Sequence, residues 1–233
     1  MSSSSIDKVK IIVVGDSGVG KSSLVHLICH GEHITNPSWT IGCSVEVKLH
    51  EYKEGTPMEK NYFVELWDVG GSNSHRNSRS IFYNLVHGIL LVHDLTNRKS
   101  QQNLRKWLAE ILNKESNSKS KHDTYDYDPE QYVDSQIPIL VVGTKQDLAQ
   151  VVRSNAGAAV RSSPFAEECG ADEIHLNCQQ AKALAPGSSN AVKLSRFFDK
   201  VIENRFPRES HMAASFLDRR RLFIPNSKMS HND

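Results

Sequence analysis

Nothing in this chain is long and apolar, strongly charged in one sense, or rich in cysteine, and each shortage removes a class of function. No apolar run approaches the roughly 20 residues of a membrane span; IIVV at 11–14, GILLV at 88–92 and ILVV at 139–142 are strand-sized. A formal net charge of only +1 argues against a general nucleic-acid binder, a class that is normally markedly basic. Cys29, Cys43, Cys169 and Cys178 are widely spaced with no CxxC pair, the pattern of reduced thiols in a cytoplasmic protein rather than of disulfides or a zinc site. The opening MSSSSIDKVK lacks the apolar core of a signal peptide, and Ser2 stands where N-myristoylation requires glycine. No cysteine follows Cys178, so a prenylation signal, and with it a direct lipid anchor, is not expected.

What is present fits one α/β domain with appendages. The 233 residues are 38% hydrophobic and 24% charged, enough for a sizeable core. Aliphatic runs without alternation at 9–14, 88–92, 137–142 and, more weakly, 173–176 predict strands covered on both faces. SVEVKLHEYKEG and NYFVELWD flank a loop holding Gly55 and Pro57, which reads as a hairpin. In 190–205, Leu194, Phe197, Phe198, Val201 and Ile202 share one helical face, with Ser189 or Asn190 as the expected cap. Strand and helix alternate, as in a doubly wound α/β fold. The polar, turn-rich stretch 113–136 reads as a surface insertion, 1–7 as a flexible start, and 207–233, with its Arg219 to Arg221 run, as a weakly ordered tail. The domain itself is expected over 8–206.

The most specific motif is GDSGVGKS at 15–22, a match to G-x-x-x-x-G-K-[S/T] between a strand and a helix-forming segment. Glycines there let backbone N–H groups turn inward around phosphate oxygens, and the following helix adds its positive end. Asp16, Ser17, Gly18, Val19, Gly20, Lys21, Ser22 and Ser23 form the expected phosphate-binding set. Within it, Lys21 neutralises β/γ-phosphates and Ser22 offers a hydroxyl to Mg²⁺. ELWDVGG places Asp68 at a strand end, suited to the Mg²⁺ shell, and Gly71 where its N–H can meet a γ-phosphate. Thr40, in PSWTIG, is a second hydroxyl for the metal.

GDSGVGKSSLV, TIG, WDVGG, HGILLVHDLT and GTKQD stand in the order of the Ras-superfamily small GTPases, and the chain most resembles their Rab branch across about 8–205. The resemblance implies a P-loop GTPase domain whose central, mostly parallel sheet of about six strands carries helices on both faces. It implies GTP or GDP with Mg²⁺ as the ligands. Guanine is read in this family by N-K-x-D, which here resembles Thr144-Lys145-Gln146-Asp147. Asp147 keeps the carboxylate for the base, and Lys145 lies along base and ribose; Cys178 and Gln179 stand where a last segment offers backbone N–H groups. Thr144 cannot copy an asparagine amide, so one base contact and its brace to the phosphate loop are in question. One such bond is worth roughly 0.5–1.5 kcal/mol. Ser72 replaces the usual water-orienting glutamine, so no catalytic residue is assigned and hydrolysis is expected to be slow. Gly70 stands where the family has alanine, which is expected to loosen that turn.

By resemblance, the partners include a second copy of the chain, an armadillo-repeat chaperone of prenylated small GTPases, and a multi-pass membrane protein. Beside a nucleotide-switched regulator stand a nucleotide-stabilised scaffold (a pseudo-GTPase), supported by Ser72 and Thr144, and an ATP-using phosphotransferase, opposed by Asp147. Trp39, Trp67 and Phe82 flank the expected switches and suit either partner contact or burial; Trp107 reads as core. Tyr125, Tyr127 and Tyr132 suit a partner patch or a plain loop. His26 and His30 sit at i, i+4, but no third ligand is evident, so packing and surface roles are expected.

Overall fold

The computed structural model describes residues 6–115, 137–154 and 163–207. The Tyr125, Tyr127 and Tyr132 patch, the tail beyond 207 and most of the expected insertion lie outside them. Strands β1 (Lys8–Val14), β2 (Cys43–Tyr52), β3 (Lys60–Val69), β4 (Gly88–Asp94), β5 (Ile139–Thr144) and β6 (Asp172–His175) make one six-stranded sheet in the order β2-β3-β1-β4-β5-β6. Only the β2–β3 pair is antiparallel. The aliphatic runs are buried end to end in β4 and β5 because helices cover both faces of the parallel part.

Period-two alternation divides the core. Ile11, Val13, Leu90, Val92, Leu140 and Val142 point to one face, under α1 (Lys21–His30) and the final helix Ser189–Arg205. Ile12, Val14, Ile89, Leu91 and Val141 point to the other, under Leu104–Glu115 and the short helix Pro164–Glu168. In chain order the helices after α1 are α2 (Arg76–Arg79), α3 (Arg98–Gln102), α4 (Leu104–Glu115), α5 (Gln146–Ser154), α6 (Pro164–Glu168) and α7 (Ser189–Arg205). Trp107, on α4, is buried in the second face as expected.

Several expected boundaries move for local reasons. The strand expected from 137 starts at Ile139, because Pro138 has no N–H and serves only as an acceptor, to Ile89 N at 3.0 Å. The cap of α7 is Ser188 rather than Ser189 or Asn190: its side chain accepts from Ala191 N. Asn190 instead donates to His175 O at 2.8 Å and ties the helix to β6. Helix α4 continues to Glu115, so 113–115 are helical rather than the start of a loop.

Candidate functional site

The parallel strands β1, β4 and β5 end together, with the end of β3 beside them, and the loops beyond these ends form a cleft of about 410 Å³. Crevices at the carboxyl ends of parallel strands are where open α/β sheets bind ligands. Its lining joins the phosphate loop (Ser17, Gly18, Gly20, Lys21, Ser22, Ser23) to Pro37–Thr40, Gly71, Ser72, Lys145 and Gln179. Segments far apart in sequence therefore converge on one opening.

Helix α1 starts at Lys21 with Gly20 in a left-handed conformation (φ 96°) and no side-chain cap, leaving its first N–H groups turned to the cleft. Lys21 donates to Gly15 O and Asp16 O, both at 2.9 Å. Burial pushes its ammonium down to about 8, against the attraction of Asp68 and Asp16. Val19 is buried in the core. Asp16 turns its carboxylate away from the cleft, to Asn103 Nδ2 (2.8 Å) and Trp107 Nε1 (2.9 Å).

Ser22, Thr40 and Asp68 meet in a closed triangle. Ser22 Oγ donates to Asp68 Oδ2 at 2.5 Å, Thr40 Oγ1 donates to the same oxygen at 3.0 Å, and the two hydroxyls are 3.0 Å apart. Asp68 Oδ1 is buried and has no hydrogen-bond partner among the described residues. Hard oxygen donors gathered around a carboxylate with a spare buried oxygen fit a small hard cation, as Mg²⁺ requires.

Gly70 and Gly71 have a spatial reason. Gly70 N donates to Gly42 O at 2.9 Å. A Cβ on Gly70 would lie 2.6 Å from Thr40 O, and one on Gly71 2.5 Å from Gly15 O. Gly70 thus admits the close approach of the Thr40 backbone. Ser72 lies at the rim with its hydroxyl 2.7 Å from that of Ser74.

On the far side, Lys145 adopts a left-handed backbone (φ 57°) and reaches Gly18 O (2.9 Å) and Asp94 Oδ2 (2.7 Å). Burial raises the Asp94 carboxyl, but hydrogen bonds from Lys145 and Thr96 outweigh it and hold the group below its usual value. Asp147 is half-buried in the first turn of α5. Burial, then Asp147, pushes the Cys178 thiol up to about 12, so this buried side chain remains a thiol. Gln179 reaches the cleft. Thr144 does not: only 1% exposed, it turns its hydroxyl to Val19 O (2.5 Å) and His93 O (3.0 Å). The brace to the phosphate loop that the asparagine's absence put in question is therefore made by a hydroxyl.

Sequence reasoning missed the support beneath the 70–79 segment. Arg79 is 2% exposed and grips Glu110 with two nitrogens (3.0 and 3.1 Å), while stacking 4.2 Å from the Trp107 ring centroid. Of the aromatics beside the cleft, Trp39 is 83% exposed, Trp67 is half-buried under Lys10 and Phe82 packs partly into the core.

A sequence profile of the Ras family matches residues 10–186. Rab-like protein 3 of Xenopus laevis is 55% identical over 234 residues, covering 98% of this chain and 99% of that protein. Rab-like protein 3 of Homo sapiens is 53% identical over 235 residues, with the same coverage. Small GTPase LIP1 of Arabidopsis thaliana is 46% identical over 114 residues, 45% of this chain and 33% of its own length. With the motif order, the sheet topology and the converging loops, these likenesses make the chain a member of the Ras superfamily of small GTPases, in its Rab-like branch.

Proposed function

We propose that the chain is a cytoplasmic, guanine-nucleotide-binding regulator that holds GTP or GDP with Mg²⁺, hydrolyses GTP slowly, and acts through protein partners. The observation that carries this reading is the meeting of Ser22, Thr40 and Asp68 beside the phosphate-loop lysine. Backbone N–H groups of the loop and Lys21 bind the phosphates, with Gly71 N–H directed at the terminal one. Ser22, Thr40 and Asp68 would hold Mg²⁺, which supplies charge neutralisation across the phosphates. Lys145 flanks base and ribose, Asp147 accepts the guanine N–H groups, and Cys178 and Gln179 add backbone donors. One GTPase domain over 8–206 carries this site, with 1–7 and 207–233 as appendages.

Slow chemistry follows from Ser72, whose short hydroxyl is engaged with Ser74 and offers no amide to orient water. The same residue favours, as a second reading, a nucleotide-stabilised scaffold. Trp39 and Ile41, both 83% exposed, and Val45, Val47 and Leu49 along β2 supply an apolar face for partners under either reading. Resemblance to the Rab-like proteins points to a second copy, to an armadillo-repeat chaperone in the handling of prenylated small GTPases, and to a multi-pass membrane protein.

Purified protein should carry guanine nucleotide, exclude ATP in competition, and turn over GTP slowly in a single-turnover assay. Ser72→Gln should accelerate that turnover by roughly tenfold or more, equivalent to about 1.4 kcal/mol off the barrier. ATP binding as tight as GTP would defeat the guanine assignment. Fast unaided hydrolysis by the unaltered chain would defeat the role given to Ser72.

A further inference from the structure

Away from the cleft, the fold completes a ligand set that the sequence leaves one member short. His26 and His30 are one turn apart on α1, with ring centroids separated by 4.5 Å. Strand β2 brings the third group. Glu46 Oε2 lies 2.9 Å from His30 Nε2 and 4.0 Å from His26 Nδ1. One donor atom from each residue falls within 4.8 Å of the other two. We propose that His26, His30 and Glu46 form a surface site for a borderline divalent transition-metal ion of the Zn²⁺ class.

Two imidazoles and a carboxylate are the donors such ions take, whereas Mg²⁺ and Ca²⁺ select oxygen alone. The site is thus chemically distinct from the hydroxyl and carboxylate triangle in the cleft. Metal–ligand bonds of about 2.0–2.1 Å in a tetrahedron put neighbouring ligand atoms ~3.3 Å apart, a value bracketed by the 2.9 and 4.0 Å seen here. A small pivot of either ring reaches it. The side chains are 27%, 53% and 28% exposed for His26, His30 and Glu46, so an ion can enter and water can complete its shell.

The ordinary alternative is a histidine–glutamate hydrogen bond. It accounts for His30 but not for His26, whose 4.0 Å approach to the same oxygen is too long for one. Cys29 lies between the two histidines in sequence, yet its sulfur is not among the donor atoms that converge here. Because α1 begins at the phosphate loop and β2 begins just beyond Thr40, an ion here clamps the helix that carries Ser22 to the strand that follows Thr40.

The test uses the full chain, reduced and freed of transition metal, with Mg²⁺ and GDP present throughout. Co²⁺ is titrated by its visible ligand-field absorption and Zn²⁺ by competition against it. One equivalent should bind with nitrogen and oxygen bands and no thiolate charge-transfer band, and Zn²⁺ should displace it. His26→Gln and His30→Gln should each weaken binding roughly tenfold or more, and the double variant should lose the signal, while Cys29→Ser changes nothing. Unchanged binding in the double variant, a thiolate band lost with Cys29→Ser, or no Co²⁺ signal at millimolar metal would each overturn the assignment. Equal melting midpoints of the metal-free variants and the unaltered chain show that loss of the signal is not loss of the fold.

Discussion

The Thr144 hydroxyl has one proton and two buried carbonyl oxygens in range, so it links β4 and the phosphate loop at a single point. Thr144→Val keeps the shape and removes the link. The change should lower stability by about 1–3 kcal/mol, the cost of leaving buried acceptors unpaired, read from urea unfolding. Guanine nucleotide should also leave faster, because Val19 O sits in the loop that cradles the phosphates. An unfolding midpoint equal to that of the unaltered chain would remove Thr144 from this role. The sequence makes the missing amide visible but not the substitute, since the bond joins residues 125 positions apart. Asp16 teaches the same lesson: its place in a glycine-rich motif suggests a ligand contact, yet its carboxylate is held by Asn103 and Trp107 on or beside a distant helix.

Whole elements were legible wherever a face is buried by a regular pattern. The apolar stripe of α7 reads directly from 190–205, and the unbroken aliphatic runs of β4 and β5 announce coverage on both sides. The segment after Asp68 has no such pattern. SNSHRNSRS is polar throughout, and Arg79 inside it is buried only because α4 offers Glu110 from a position 31 residues away. Tyr83 donates to the same carboxylate at 2.7 Å, and Arg79 also lies 3.5 Å from Gly70 O and Ser72 O. The pair therefore anchors the short helix α2 and the rim of the cleft together. Glu110→Gln removes the counter-charge and leaves a guanidinium buried against Trp107. Breaking one side of a buried pair costs about 3 kcal/mol or more, so denaturant unfolding should shift by that amount. Limited proteolysis of the variant should show a new cleavage between 72 and 83. Equal stability and equal protease resistance would mean that the anchor holds nothing.

At the scale of the whole molecule, the sheet gathers the ends of four strands at one edge, and the charge stored there is partly frustrated. Lys21 is the clearest case. Burial lowers its folded-state value from 10.5 to about 8, and the carboxylates Asp68 and Asp16 only partly compensate. Between pH 8 and 10.5 the unfolded chain keeps this proton while the free folded chain gives it up. Stability of the nucleotide-free protein should accordingly rise with pH through that window, as far as this group decides it. Nucleotide affinity should move the opposite way. On the proposed reading, phosphates supply the negative partner that keeps Lys21 charged, so binding above pH 8 requires the uptake of a proton. Affinity for GDP should be level below pH 8 and fall by roughly tenfold per pH unit above it. Ionisation of guanine itself adds a slope at higher pH, so Lys21→Met, weaker at every pH, serves as the reference that retains only that contribution. Titration of GDP binding from pH 7 to 9, with calorimetry in two buffers of different ionisation heat, measures both the affinity and the protons taken up. A curve parallel to that of Lys21→Met, with no proton uptake near pH 8.5, would mean that Lys21 is already fully charged before the phosphates reach it.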